Sequence, residues 1–282
     1  MRRLIRQSAH LRIRESANTL AHAAGLLAAA GLLGACDVTI KDGDISVNHP
    51  HGRASREWTR SFPLEPGGRV ELVNVNGPIE VGVGPAGTVS LRATITAHGM
   101  TEDRAKQILA EAEIEESASP RHVRVATVRR NRSRGPGGVE VSYQATVPED
   151  ARVDINANNA NVNVAGVRGP VQALVVNGQV TLSDARGAVD AASVNGSIAV
   201  KMAAVTDRIR VESTNGRISI ELPKQAKATL SARAVNGGIS VSGLETQEVE
   251  GFRIRNLESA LNGGGPDVEL RVMNGRITIV GK

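Results

Sequence analysis

The sequence predicts an all-β fold: a repeat β-solenoid, resembling a single-stranded β-helix, with one short helix in an amino-terminal insert. Three observations carry this. First, one short phrase keeps returning: VNGQVTL at Val176–Leu182, VNGSIAV at Val194–Val200, TNGRISI at Thr214–Ile220, VNGGISV at Val235–Val241 and MNGRITI at Met273–Ile279. An outlying copy, VNGPIEV, stands at Val75–Val81, and a degenerate one, NNANVNV, at Asn158–Val164. Second, apolar residues keep a spacing of two on either side of the phrase, as in strands with one buried face. Third, Trp58, Phe62, Tyr143 and Phe252 are the whole aromatic set, so the core is Val, Ile, Leu and Ala, which suits thin, flat coils.

Aligning the copies on the Asn makes the columns explicit. Six residues before it stand Val70, Val153, Val171, Val189, Ile209, Leu230 and Val268, and four before it Leu72, Ile155, Ala173, Ala191, Val211, Ala232 and Leu270. Three after it come Ile79, Val162, Val180, Ile198, Ile218, Ile239 and Ile277, and five after it Val81, Val164, Leu182, Val200, Ile220, Val241 and Ile279. Intervening positions such as Gln172, Asp190, Arg210, Thr181, Ser219 and Thr278 are polar, which makes the other face wet.

From Asn159 the copies step by 18, 18, 20, 21 and 38 residues, and the last step reads as two periods with one unrecognised copy inside. Asn-Gly also marks hairpins, so a meander fits the spacing. A solenoid explains more. Coils stacked about 4.8 Å apart place each residue on its own counterpart. Asn76-Gly77, Asn177-Gly178, Asn195-Gly196, Asn215-Gly216, Asn236-Gly237 and Asn274-Gly275 then form one repeated corner, with the Asn amides in a ladder.

The formal net charge is +5. Residues 1–35 hold five Arg and one Glu, so the remainder has 29 basic and 28 acidic residues, a net of +1. A nucleic-acid binder needs basic surface to neutralise phosphates. This balance speaks against that class.

Taken in order, residues 1–35 have the form of a lipoprotein signal peptide: an Arg-bearing start, an apolar stretch from Leu20 to Ala35, and small residues before Cys36. The apolar stretch is short and Ala/Gly-rich for a membrane span. Leu33-Gly34-Ala35-Cys36 resembles the lipobox of bacterial lipoproteins, which implies lipidation of Cys36, the chain's single cysteine, and a membrane contact through that anchor. Asp37 resembles the residue that retains some such lipoproteins on the inner membrane; inner and outer membrane both stay open. Residues 36–61 read as a tether. His49 and His51 lack a third metal ligand, and Asp42 with Asp44 lack the further oxygens that a calcium loop needs. No metal and no cofactor is expected.

The β-solenoid domain spans residues 62–282, with a helix-bearing insert over about 98–148 and regular coils over 150–282. Phe62–Val83 reads as strand, Gly67-Gly68 turn, strand, corner, strand, and Val89–Ala97 as another strand. Thr101-Glu102-Asp103 opens a helix with a capping Thr and two acids at its positive end. Ala105, Ile108, Leu109 and Ala112 form its apolar stripe, and the helix is expected to cover an open end or side of the sheet. His122–Val128 and Val139–Val147 are strands joined by a loop bearing Arg129, Arg130, Arg132 and Arg134. Those four are either a solvated hairpin tip or a contact for an anionic surface.

The order of features resembles the adhesin-like family of bacterial β-solenoid domains, a domain of unknown function. The features are a Gly-Gly strand with VNGPIEV, a helix-bearing insert, a strand closing as Tyr143–Pro148, the Asn-Gly coils, then Gly263-Gly264-Gly265 and MNGRITIVGK. The resemblance covers about Phe62 to Lys282 and departs at Asn159-Ala160 and in the irregular Leu244–Asn262. It implies an extracytoplasmic solenoid with a presumed adhesive or envelope role, and it brings no catalytic residues.

Read directly, the residues agree with a non-enzyme. There is no G-x-S-x-G, P-loop, H-E-x-x-H or paired Cys, and His98 and His122 stand apart from other candidates. Arg217 and Arg276, two positions after their Asn, share a column with Ser197 and Gln179, a polar stripe on which a partner could lie. The sequence therefore points to a lipid-anchored, extracytoplasmic envelope scaffold with an envelope protein or polymer as partner. The alternatives are a polysaccharide-acting β-helix enzyme and an envelope-stress sensor that binds a membrane protein.

Overall fold

The computed structural model describes residues 37–41, 44–48, 52–129, 136–245 and 254–282. The chain runs β1 (Asp37–Lys41), β2 (Asp44–Asn48), β3 (Gly52–Pro63), β4 (Arg69–Asn76), β5 (Ile79–Val83) and β6 (Thr88–Gly99). Helix α1 (Glu102–Glu111) follows, then β7 (Ala112–Ser119), β8 (His122–Arg129), β9 (Gly137–Val147), β10 (Arg152–Asn159), β11 (Val162–Ala165), β12 (Val171–Asn177) and β13 (Val180–Ala185). The remainder is β14 (Val189–Asn195), β15 (Ile198–Met202), β16 (Ile209–Leu222), β17 (Ala228–Ser242), β18 (Asn256–Leu261) and β19 (Asp267–Gly281).

These residues divide into two compact units. The smaller one contains most of α1. Its first turn is capped as the sequence predicts: the Arg104 N–H is 3.2 Å from Thr101 Oγ1, and Lys106 sits 2.8 Å from Glu102 one turn away. Ala105 and Ile108 are its buried residues.

The larger unit is the solenoid. Each coil is two strand arms meeting at an Asn-Gly corner, and neighbouring coils pair in parallel with like over like. Asn159 pairs with Asn177, Asn177 with Asn195, and Asn195 with Asn215. The outlying copy joins the same stack, since β10 and β11 pair with β4 and β5, Asn159 opposite Asn76. Beyond it, β8 and β9 make a further layer on β4 and β5. A meander would give antiparallel neighbours, so the solenoid reading holds.

The aligned columns are the core. All seven residues six before and four before the Asn are buried, as are the seven at three after. Five after it, only Val241 of the last coil in the stack is partly open. A further buried column lies two before the Asn: Asn74, Ala157, Val175, Ser193, Ser213, Ala234 and Val272.

Two expectations are corrected. The 38-residue step hides no coil. Instead β18 turns back antiparallel on β17, and β19 then inserts between β16 and β17, parallel to both, with Asn274 opposite Asn215 on one side and Asn236 on the other. The stack therefore departs from sequence order, because any coil presents the same column pattern to any other. The tether is also shorter than residues 36–61. Within it β1 and β2 pair as an antiparallel hairpin, Asp37 opposite Asn48. Strand β3 starts at Gly52, held by backbone pairing with only Ala54, Trp58 and Phe62 half-buried along its length. So sparse an apolar pattern gave no strand signal. Strand β7, acidic at Glu113, Glu115 and Glu116, was likewise silent in the pattern; it lies antiparallel on β8.

The corner explains the glycine. A Cβ on Gly216 would fall 1.8 Å from the Gly196 carbonyl oxygen, and one on Gly275 1.7 Å from that of Gly216. Close approach of the next coil, more than positive φ, demands Gly there. The degenerate copy keeps Asn159 in register and turns at Ala160 with its methyl buried. Gly216→Ala is expected to destabilise by about 2 kcal/mol or more, while Gly82→Ala, with nothing within 4 Å of the new Cβ, should be neutral or slightly stabilising, within about 1 kcal/mol. Urea unfolding of both variants checks the contrast.

Candidate interaction surfaces

The corner asparagines form an unbroken ladder. The Asn159 amide donates to Asn76 Oδ1 at 2.6 Å, Asn177 to Asn159 at 2.8 Å, Asn195 to Asn177 at 2.9 Å and Asn215 to Asn195 at 3.0 Å. Asn274 continues to Asn215 and Asn236 to Asn274, both at 2.8 Å. Apart from the half-buried Asn76 they are exposed side chains, and these hydrogen bonds are made to each other. The ladder ties each coil to the next.

Strand parity decides what faces outward beside it. Because the residues two, four and six before the Asn point in, those one and three before it point out. The first of these is the apolar residue that opens the phrase. Val75, Leu174, Val176, Val194, Val235 and Met273 are six of the eight large apolar residues exposed among the described residues, between 38% and 51% exposed. They line a hollow of about 660 Å³ running along the stack, with Asn158 and Thr214 interrupting it and Glu212, Arg271 and Arg233 at its carboxy-terminal-coil end. The sequence held the signal, since the opening residue is apolar in most copies. Reading it as part of the phrase hid that it belongs to the wet face.

Elsewhere several outward charges pair with one another. Asp154, almost fully buried, is gripped by Arg69 and by Arg152 at 3.1 Å. Glu71 pairs with Arg124 at 3.2 Å, and the His122 ring lies at hydrogen-bonding distance from the same carboxylate, 3.2 Å away at a strand end. Arg210 and Arg271 share Glu212 at 2.9 and 3.5 Å. Lys282 binds Glu221 at 2.8 Å and holds its carboxyl below the usual range, helped by Lys201. Arg129 donates twice to Glu111, at 3.0 and 3.1 Å; Arg130, Arg132 and Arg134 lie outside the described residues, as do Cys36, His49, His51 and the Asp42–Gly43 end of the acidic turn. His98 ends β6 half-buried. No group of three or more His, Cys, Asp or Glu is placed to hold a metal among the described residues. Among the same residues no helix is long and apolar enough to cross a membrane.

Among the described residues, the side chains of the basic members of the polar stripe have no ion-pair partner. Arg217 and Arg276 are register partners on adjacent coils. With Arg255 they border a second hollow of about 680 Å³ on the other flank of the corner.

One polar network is internal. Tyr143 is fully buried in the column of Ile79, its register partner. Its hydroxyl lies 2.8 Å from Thr127 Oγ1, which in turn donates to Asn74 Oδ1 at 3.0 Å. The Asn74 amide donates to the Val141 carbonyl at 2.8 Å, tying two layers together. Burial pushes the Tyr143 phenol up to about 12, with the Thr127 hydrogen bond offsetting part of the rise. A raised folded-state value stabilises the fold fully below the unfolded value of about 10. That contribution fades as pH climbs from there through the folded value. Tyr143 is the chain's one tyrosine, so tyrosinate absorbance is a clean readout. It should stay silent through pH 10 and rise only near 12 or with unfolding; a transition near 10 in the folded chain would contradict the burial.

Comparison with known proteins was made on this geometry. No curated protein matches the chain. A solved structure of a candidate cell adhesion protein from Clostridium sporogenes is 12% identical, covering 80% of this chain and 100% of its own, with a TM-score of 0.45. Candidate adhesins from Bacteroides fragilis and Parabacteroides merdae are 11% and 10% identical, covering 80% and 79% of this chain and 97% and 96% of theirs, with TM-scores of 0.32 and 0.30. The assignment rests on sequence instead: a family model matches residues 115–280, more than half the chain, and the protein belongs to the Toastrack DUF4097 family.

Proposed function

We propose that this protein is a non-enzymatic, lipid-anchored β-solenoid of the bacterial cell envelope, an adhesin-like interaction scaffold. The observation that carries the reading is the apolar strip at Val75, Leu174, Val176, Val194, Met273 and Val235. Water-facing positions of a sheet cost least when polar, and the fold needs nothing apolar there. Clustered exposed apolar surface rimmed by polar groups, even where Asn158 and Thr214 break it, marks an interaction site. The regular rungs hold the strip rigid, so binding loses little side-chain freedom. Leu33-Gly34-Ala35-Cys36 supports the anchor and the extracytoplasmic location.

Photo-crosslinking in intact cells tests the strip. A crosslinking residue at Val176 is expected to capture envelope components that the same probe at Gln179, across the corner of that coil, does not. Val194→Asp should cut the yield at least several-fold while shifting stability by no more than about 0.5 kcal/mol. Equal capture from both positions would remove the strip as the site. The anchor has its own test: palmitate labelling should vanish in Cys36→Ser, and labelling that persists would refute it.

A further inference from the structure

The column two residues after the corner Asn changes character along the stack. It reads Pro78, Asn161, Gln179 and Ser197, then Arg217 and Arg276, then Gly238. Register partners on parallel rungs lie about 4.8 Å apart, and like charges directly opposite destabilise a sheet. Elsewhere on the coils such charge is offset by carboxylates, as where register partners Arg69 and Arg152 share Asp154 and where Arg210 and Arg271 share Glu212. The side chains of Arg217, Arg276 and Arg255 have no hydrogen-bonding or ion-pair partner among the described residues.

Arg255 is brought to them by a backbone clip. The Ala234 N–H donates to the Arg255 carbonyl at 2.8 Å and the Ile239 N–H to the Ile254 carbonyl at 2.9 Å, so residues 254 and 255 strap across the corner of the last coil. That coil carries Gly238 where its neighbours carry Arg, and Arg255 borders the same hollow. The floor is Gly216, Gly237, Gly238 and Gly275, and no carboxylate borders it among the described residues. A ligand can therefore approach the backbone closely while three guanidiniums surround it.

From this arrangement we propose a phosphate-binding site formed by Arg217, Arg276 and Arg255. A guanidinium offers a planar fork of donors that matches two oxygens of a phosphate. A single carboxylate would use one such fork; a phosphate, with more oxygens around one centre, engages several at once. Its charge also offsets the repulsion between Arg217 and Arg276. The phosphate belongs either to a soluble phosphoryl compound or to a phospholipid headgroup, which share this chemistry. The site lies on the opposite flank of the corner from the apolar strip and stands whether or not the strip takes a partner.

Inorganic phosphate titrated into the full chain at low ionic strength is the first probe, read by calorimetry and melting temperature. Phosphate should raise the melting temperature of the parent by linkage. Its apparent affinity should fall at least tenfold in the Arg217→Gln, Arg276→Gln double variant and by a smaller factor in Arg276→Lys, which keeps the charge and loses the fork. Without phosphate the double variant should melt no lower than the parent, because two unpaired like charges are gone. The second probe is phosphatidylglycerol vesicles against phosphatidylcholine vesicles, with every chain carrying Cys36→Ser so that no acyl anchor contributes. Arginine-dependent binding to phosphatidylglycerol alone assigns the phosphate to a headgroup; arginine-dependent binding of inorganic phosphate without it assigns a soluble compound. Absence of binding by the parent to either probe, binding unchanged in the double variant, or a double variant that melts well below the parent overturns the site.

Discussion

The contact on which this structure depends is the approach of one coil's carbonyl to the next coil's glycine. At Gly178, Gly196, Gly216, Gly275 and Gly237 a β-carbon would lie between 1.6 and 2.0 Å from the carbonyl oxygen of the adjacent rung. Only hydrogen fits in that space. A slip of one residue would bring side-chain carbons against those oxygens and turn every buried aliphatic side chain outward. Register is thus enforced twice, at the corner and in the core. The Asn ladder follows, since each amide reaches its counterpart only when the rungs stay in step.

Much of this was legible because a fixed period writes structure into the sequence redundantly. The inward columns, the corner and the ladder each rest on seven copies, so one weak copy such as Asn159-Ala160 does not obscure them. What the pattern hid has a physical origin too. A solenoid coil is compatible with any other coil, so nothing in the apolar columns records that β19 sits between β16 and β17. Strands β3, β7 and β18 pair at their own layer through backbone groups, and a backbone hydrogen bond leaves little mark on composition. The strip was hidden differently. Val176 and Val194 are as conspicuous in the sequence as Ile198, and only parity counted from the buried Val175 and Ser193 shows that they face water.

The insertion of β19 also determines how the stack ends. A coil at the end of a solenoid has an open edge, and open edges invite pairing with other chains. Here β19 is not the last rung. It lies with a parallel neighbour on each side, and the exposed place falls to β17, whose first arm is covered by the antiparallel β18 and whose corner is strapped by Ile254 and Arg255. At the other end the acidic β7 covers β8. Both covering strands are short and carry glutamates, which discourages further pairing.

That arrangement links the ending of the stack to its chemistry. Had the coils followed sequence order, Arg276 would lie on the terminal rung with Gly238 between it and Arg217, and the two charges would stand two rungs, about 10 Å, apart. Inserting β19 makes them register partners and puts Gly238 outermost, where the strap that covers the corner can deliver a third arginine over a residue with no side chain. The non-sequential order thus does two things at once: it encloses β19 within the sheet and gathers basic groups that sequence order would have kept apart.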